Sequence, residues 1–249
     1  MRARTHYSRT RRAIDVGVVL LVVPLAVLVA LPTAIAVFID SPGPVLYRAR
    51  RVGRDGVVFR MLKFRTMRFP AWGPGIRRAD DDRQTPFGRL LCSTRLDELP
   101  QLWNVLRGQM SLVGPRPEAE EFVAAQPKPY EQILTVPPGL TGRTQLEFVD
   151  EGRLLAEAPD AVRAYLEEVL PLKVYLDMQY VETASLRGDG AILLRTFAVP
   201  ARMLVQRAEV ALRGSPGSSR ERLTLATAMV ASAAVVVGYA VGAASGGGL

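Results

Sequence analysis

The residues best suited to chemistry lie in one run, 94–117, TRLDELPQLWNVLRGQMSLVGPRP. It sets an adjacent acid pair, Asp97-Glu98, at the head of an apolar-faced helix and follows it with Arg116 between two prolines. Carboxylates can hold a divalent cation or attack phosphorus, and a rigidly presented guanidinium grips a phosphate with two donors. Such a set suits a phosphorylated, metal-bound substrate. Leu99, Leu102, Trp103 and Leu106 recur at helical spacing, and Gly108 can end the helix. A plainer account of Asp97 stays open, because Thr94 and Asp97 have the spacing of a capping box. That account leaves Glu98 without a role. It also conflicts with Pro100, which removes a hydrogen bond from a helix begun at Thr94.

Cations to accompany the acids are found on both sides of the run. Residues 45–52 and 57–67 flank Gly53-Arg54-Asp55-Gly56 and read as a β-hairpin. Period two along the second strand puts Lys63 and Arg65 on one face, where they could meet phosphate oxygens or simply be solvated. Arg89 and Arg95 precede the acid pair. Residues 77–83 hold three consecutive aspartates, read as a solvated loop or cap in preference to a metal site. Residues 118–121 begin another helix with three glutamates. Residues 137–142, PPGLTG, form a rigid turn, 160–180 a helix, and 190–212 a basic amphipathic helix.

Composition narrows the ligand classes. The 249 residues carry a net charge of +8, which suggests anionic partners. A single cysteine, Cys92, excludes an internal disulfide, and a single histidine, His6, leaves no zinc ligand set. A metal here would be held by oxygen, which favours an ion such as Mg2+. Nucleic acid is not expected. The arginines flank apolar segments and are not interleaved with stacking aromatics.

Those apolar segments position everything else. Residues 13–39 are nearly all apolar, with Pro24 in the middle and arginines on both flanks. Positive charge on both sides places both ends in the cytoplasm, so the expected form is a re-entrant helix–break–helix centred on Pro24. An ordinary spanning anchor is the alternative. Residues 223–244 carry no charge and read as a C-terminal transmembrane helix, where Gly238 and Gly242 give a GxxxG spacing that would suit self-association as a homodimer. The expected organisation is a basic N-terminus (1–12), a re-entrant helix (13–40), a catalytic domain (41–207), a linker (208–222) and a C-terminal membrane helix (223–244). The expected fold is a small α/β body, a β-hairpin with surrounding amphipathic helices on the cytoplasmic leaflet.

The ordered set SPGPVLYRARRVG, FRMLKFRTM, DDRQTPFGRLL, TRLDELPQLWNVLRGQMSLVGPRPE, PGLTGRTQ and YLDMQYVETASLRGDGAILLRT resembles the bacterial sugar transferases, the monotopic polyprenyl-phosphate phosphoglycosyl transferases. The resemblance runs from about Arg12 to Val205. It implies transfer of a sugar-1-phosphate from a UDP-sugar to undecaprenyl phosphate at the inner bacterial membrane, as the first membrane step of surface polysaccharide or glycoconjugate assembly. It further implies magnesium, Asp97 as the nucleophile that becomes phosphosugar-bound, and Glu98 as its partner at the metal. Lys63, Arg65, Arg95 and Arg116 would face the donor diphosphate, and Pro24 would break the membrane helix. Three positions depart from the family pattern: Val23 stands where Ser is common, Cys92 where a basic residue is common, and Arg143 where an aromatic is common. A catalytically silent membrane scaffold of the same family is the competing reading.

Overall fold

The computed structural model describes residues 7–70, 78, 81–149, 151–196 and 198–199. The chain divides into two compact units, Met1–Ile192 and Leu193–Leu249, and the first holds α1 to α9 and the four strands described below. The expected linker (208–222) and C-terminal membrane helix (223–244), with its GxxxG spacing, lie outside the described residues.

Among the described residues, one helix is long and apolar enough to cross a membrane: α1, Arg9–Asp40. Ser8 caps its start by accepting from the Arg11 amide. Its 32 residues would span about 48 Å if straight. Pro24 and Pro32 both lie inside this one helical element, so the break into two helices expected at Pro24 is not found. Proline removes one intrahelical hydrogen bond but leaves the bonds on either side intact, and the Thr33 hydroxyl donates to the Val29 carbonyl beside the second gap. Leu21, Leu25, Leu28, Leu31, Ile35 and Ile39 are exposed along it, as a lipid-facing surface requires.

Both ends of α1 are fastened to the same body. Near its start, Arg12 donates to the carbonyls of Val105 and Leu106 at 2.5 and 2.7 Å. One turn on, the buried Asp15 carboxylate accepts from Ser111 Oγ (2.8 Å), the Leu112 amide (3.1 Å) and Tyr7 Oη (2.9 Å). At the other end Val37 packs with Phe64 and Leu91.

The body is mixed α/β, as expected, but with two small sheets. Strands β1 (Leu46–Val52) and β2 (Val58–Phe64) pair antiparallel from Leu46↔Phe64 to Val52↔Val58. The intervening turn places Asp55 at φ 56° and Gly56 at φ 76°. Helices α2 (Pro86–Thr94) and α3 (Gln101–Leu106) follow, separated by a single 3-10 turn, Leu96–Glu98. Thr94 ends α2, and its hydroxyl donates back to Leu90 and Leu91, so the capping box is not formed. Of the apolar face of α3, Leu102 is buried together with Val105, while Trp103 stays 56% exposed.

Strand β3 (Ser111–Val113) pairs in parallel with β4 (Gly139–Thr141), a sheet too short to read from periodicity. The two chains approach so closely that a Cβ on Gly139 would lie 2.1 Å from the Gly114 amide nitrogen. Between them run α4 (Glu120–Ala125) and α5 (Pro127–Ile133). After β4 come α6 (Arg143–Glu147), α7 (Glu151–Ala156), α8 (Ala161–Ala164), a π-helical turn (Tyr165–Val169) and α9 (Leu170–Thr183). A core of Phe122, Tyr130, Ile133, Leu155, Leu170 and Val174 joins these helices. A further helical stretch occupies 186–196. The rest of the basic amphipathic helix expected over 190–212 falls largely outside the described residues.

Asp15 is the polar joint between α1 and β3. Asp15→Ala leaves three donors without their acceptor and is expected to cost at least about 2 kcal/mol. A lower midpoint of thermal unfolding in detergent, against a neutral control at exposed Leu21→Ala, is the check.

Candidate active site

The acid pair owes its position to a backbone feature that the sequence does not display. Arg95 adopts left-handed φ 60° between α2 and the 3-10 turn, which redirects the chain and turns Asp97 inward. Asp97 is 7% exposed. Beside it, Glu98 Oε1 lies 2.9 Å from Lys63 Nζ and 3.7 Å from Arg95 Nη1. Burial alone would raise the Glu98 carboxyl, but Lys63, Arg95 and Arg116 outweigh it and hold the group down at about 2. These cations therefore favour the ionised form of Glu98.

Arg116 reaches the same place from β3. The turn Gly114–Pro117 is clamped by backbone bonds from the Gly114 amide to Thr141 O and from the Gly139 amide to Pro115 O, at 3.0 and 2.8 Å. The Arg116 amide donates to Asp177 Oδ2 (3.2 Å), whose other oxygen accepts from Thr144 Oγ1 (2.5 Å). Although burial works against its charge, the neighbouring Glu151, Glu118 and Glu98 raise the Arg116 pKa above its ordinary value.

These side chains line one cavity of about 560 Å³. Its far wall holds groups that the sequence reading did not assign to a site. Lys173 is 2% exposed and bridges Glu151 Oε2 (2.7 Å) and Glu118 Oε1 (3.4 Å), with its ammonium 4.6 Å from the Tyr165 ring centroid. Glu118 precedes α4 and points into the cavity, although the sequence reading placed it at the start of a helix. Burial opposes its charge, yet Lys173, Arg116 and Arg51 keep its pKa low. The available signal was Lys173 itself, a lone charge in the apolar stretch LPLKVYL.

The structure brings together Lys63, Arg95, Asp97, Glu98 and Arg116. Arg65 also lines the cavity but takes no part in the Glu98 cluster. It follows the end of β2, and its guanidinium donates to the Ser41 carbonyl and lies 5.7 Å from the Phe69 ring centroid. Cys92 lines the cavity, and Gln84 Nε2 donates to its sulfur at 3.3 Å. Arg143 donates to Thr183 Oγ1 at 3.1 Å and is not among the cavity residues. Among the described residues no three acid, histidine or cysteine side chains gather as a ready metal cage.

The sequence profile of the bacterial sugar transferase family matches residues 6–203, a span that contains α1 and the whole cavity. This chain belongs to the bacterial sugar transferase family. Its curated relatives include the UDP-glucose:undecaprenyl-phosphate glucose-1-phosphate transferase of Caulobacter vibrioides, 38% identical over 191 residues that cover 75% of this chain and 67% of the relative. The UDP-N-acetylgalactosamine-undecaprenyl-phosphate N-acetylgalactosaminephosphotransferase of Aeromonas hydrophila is 34% identical over 76% of this chain and 43% of its own length. Exopolysaccharide production protein ExoY of Sinorhizobium fredii is 33% identical over 75% of this chain and 83% of its own length. The matched region is thus less than half of the Aeromonas protein and most of the Sinorhizobium one. In this sugar transferase the family match and the charged cavity fall on the same residues.

Asp177 supplies a pH test of the site's framework. Burial raises its carboxyl from an ordinary 3.8 to about 7, against the opposing bonds from Thr144 and Arg116. A carboxyl raised in the folded state stabilises fully below its unfolded pKa and loses that contribution as pH rises through the folded one. Thermal stability is therefore expected to decline between about pH 4 and 7, and Asp177→Asn is expected to flatten that decline. Melting curves of both proteins across this window provide the measurement.

Proposed function

We propose that this protein transfers a sugar-1-phosphate from a UDP-sugar to undecaprenyl phosphate, through a phosphosugar bound covalently to Asp97. The observation that carries the reading is the convergence of Asp97, Glu98, Lys63, Arg95 and Arg116 on one cavity in a chain of this family. The activities for which the Caulobacter and Aeromonas relatives are named share this reaction class and differ in sugar.

The chemistry follows from the residues. Asp97 attacks the β-phosphorus of the donor, a P–O bond to Asp97 forms, and the bond to the nucleoside monophosphate breaks with its electron pair on the leaving oxygen. Arg116 and Lys63 offset the charge gathering on the phosphoryl oxygens. Arg116 does so from a clamped turn, with little reorganisation. A phosphate oxygen of the lipid then attacks the same phosphorus and releases Asp97 as a carboxylate.

Two adjacent carboxylates, one held ionised, plus substrate phosphates form the oxygen-rich set that suits Mg2+, which commonly takes only one or two protein carboxylates. Asp97 and Glu98 would hold the ion. When bound it would polarise the phosphoryl group and screen the approach of one anion to another.

The re-entrant course of α1 is part of the same proposal. Arg12 and Asp15 at one end and Val37 at the other contact one body, which favours both ends on one membrane face. The arginine-rich flanks favour the cytoplasmic face.

The test is nucleotide release in nanodiscs with Mg2+, undecaprenyl phosphate and a panel of UDP-sugars. UMP is expected from one donor and is expected to fall at least about 10³-fold in Asp97→Asn, with chelation of Mg2+ also abolishing release. Release that survives Asp97→Asn would remove Asp97 as the nucleophile. No release from any donor by folded, membrane-bound protein would favour the scaffold reading.

A further inference from the structure

One cation of the cavity has a binding capacity that the donor site does not use. Arg65 is 9% exposed, and its Nε and Nη1 have no hydrogen-bond partner. Its third guanidinium nitrogen, Nη2, donates to the carbonyl of Ser41, the residue that ends α1. Among the described residues no carboxylate pairs with Arg65, although Asp40 acts on it at longer range, and burial lowers its pKa. A buried guanidinium with two unpartnered donors is costly unless an anion meets it. Gly43, at φ 132°, puts no side chain against the guanidinium: a Cβ there would lie 2.6 Å from Nη1.

The surroundings indicate what kind of anion this is. Arg65 lines the same cavity as Asp97. Next to it, Phe69 is 56% exposed, and the last turn of α1 exposes Phe38 (54%) and Ile39 (75%). A phosphomonoester on an apolar chain matches both features, with the head on the guanidinium and the chain along these side chains. The nucleotide donor is highly polar and has no use for such a surface.

We infer that Arg65 binds the phosphate of the lipid acceptor at the membrane-helix end of the cavity, apart from the donor diphosphate cluster of Lys63, Arg95 and Arg116. This rests on the transfer reaction proposed above. The acceptor phosphate, oriented by Arg65, directs one oxygen at the phosphorus carried by Asp97. A new P–O–P link forms as the P–O bond to Asp97 breaks, and the electron pair of that bond stays on the carboxylate. The position of Arg65 thus gives each half of the reaction its own cation.

The experiment compares full-length wild type with Arg65→Gln in nanodiscs, varying undecaprenyl phosphate and the UDP-sugar separately. KM for the lipid is expected to rise at least about tenfold, the loss of one or two charge-assisted hydrogen bonds. KM for the donor is expected to move less than about threefold. An equal or larger shift in donor KM would return Arg65 to the donor site and overturn the inference. Should Arg65→Gln not fold, Gly43→Ala crowds Nη1 while keeping the charge, and the same split is expected. A binding arm needs no turnover: farnesyl phosphate is expected to raise the melting temperature of wild type and not of Arg65→Gln. Inorganic phosphate matching farnesyl phosphate at equal concentration would overturn lipid recognition. An enzyme that binds farnesyl phosphate through Arg65 yet releases no UMP would uphold the inference and count against the transfer reaction alone.

Discussion

Three donors meeting one buried carboxylate, Asp15, tie the long apolar helix α1 to the strand that delivers Arg116. The rest of the site depends on that joint. Strand β3 has only three residues and one neighbour in its sheet, so its own ladder could not hold it in place. Asp15 holds it on one side and β4 on the other. Tyr180 adds a third hold, with its hydroxyl 3.2 Å from the Val113 carbonyl. What leaves this clamp is a turn in which two prolines and an amide bond to Asp177 determine the direction of one guanidinium.

The cavity is then best understood as a balance of buried charge. Lys63 and Arg95 face Glu98, Lys173 lies between Glu118 and Glu151, and Arg116 stands between the two groups. Paired charges of this kind contribute little net stability compared with an apolar core, because desolvation offsets their attraction. Their value is positional. A substrate diphosphate entering here meets cations already oriented and need not draw them out of water.

Much of the site was legible in the sequence because its chemistry is local. Asp97-Glu98 and Arg116 fall within one run, and the hairpin carrying Lys63 announces itself by alternation around a glycine-rich turn. The remainder was hidden for physical reasons. The contacts from Lys173 to Glu118 and from Asp177 to Arg116 join residues more than fifty positions apart, which no spacing reports. Arg65 looked like the twin of Lys63, yet β2 stops at Phe64 and the next side chain is taken by Ser41. The left-handed turn at Arg95 has no glycine or asparagine to mark it. At Pro24 the helical element runs on, since a proline costs one hydrogen bond in a helix without having to end it.

Fastening α1 at both ends has a further consequence for anyone handling this protein. A transmembrane anchor is usually a leash that can be cut to free a soluble domain. Here, a fragment beginning at Ser41 would bare the carbonyls of Val105 and Leu106, strip Ser111 and Leu112 of their acceptor, and uncover Phe64 and Leu91. Helix α1 is a packed part of that body. Cutting at Ser41 would therefore remove part of the fold that seats Arg116, not merely a tether.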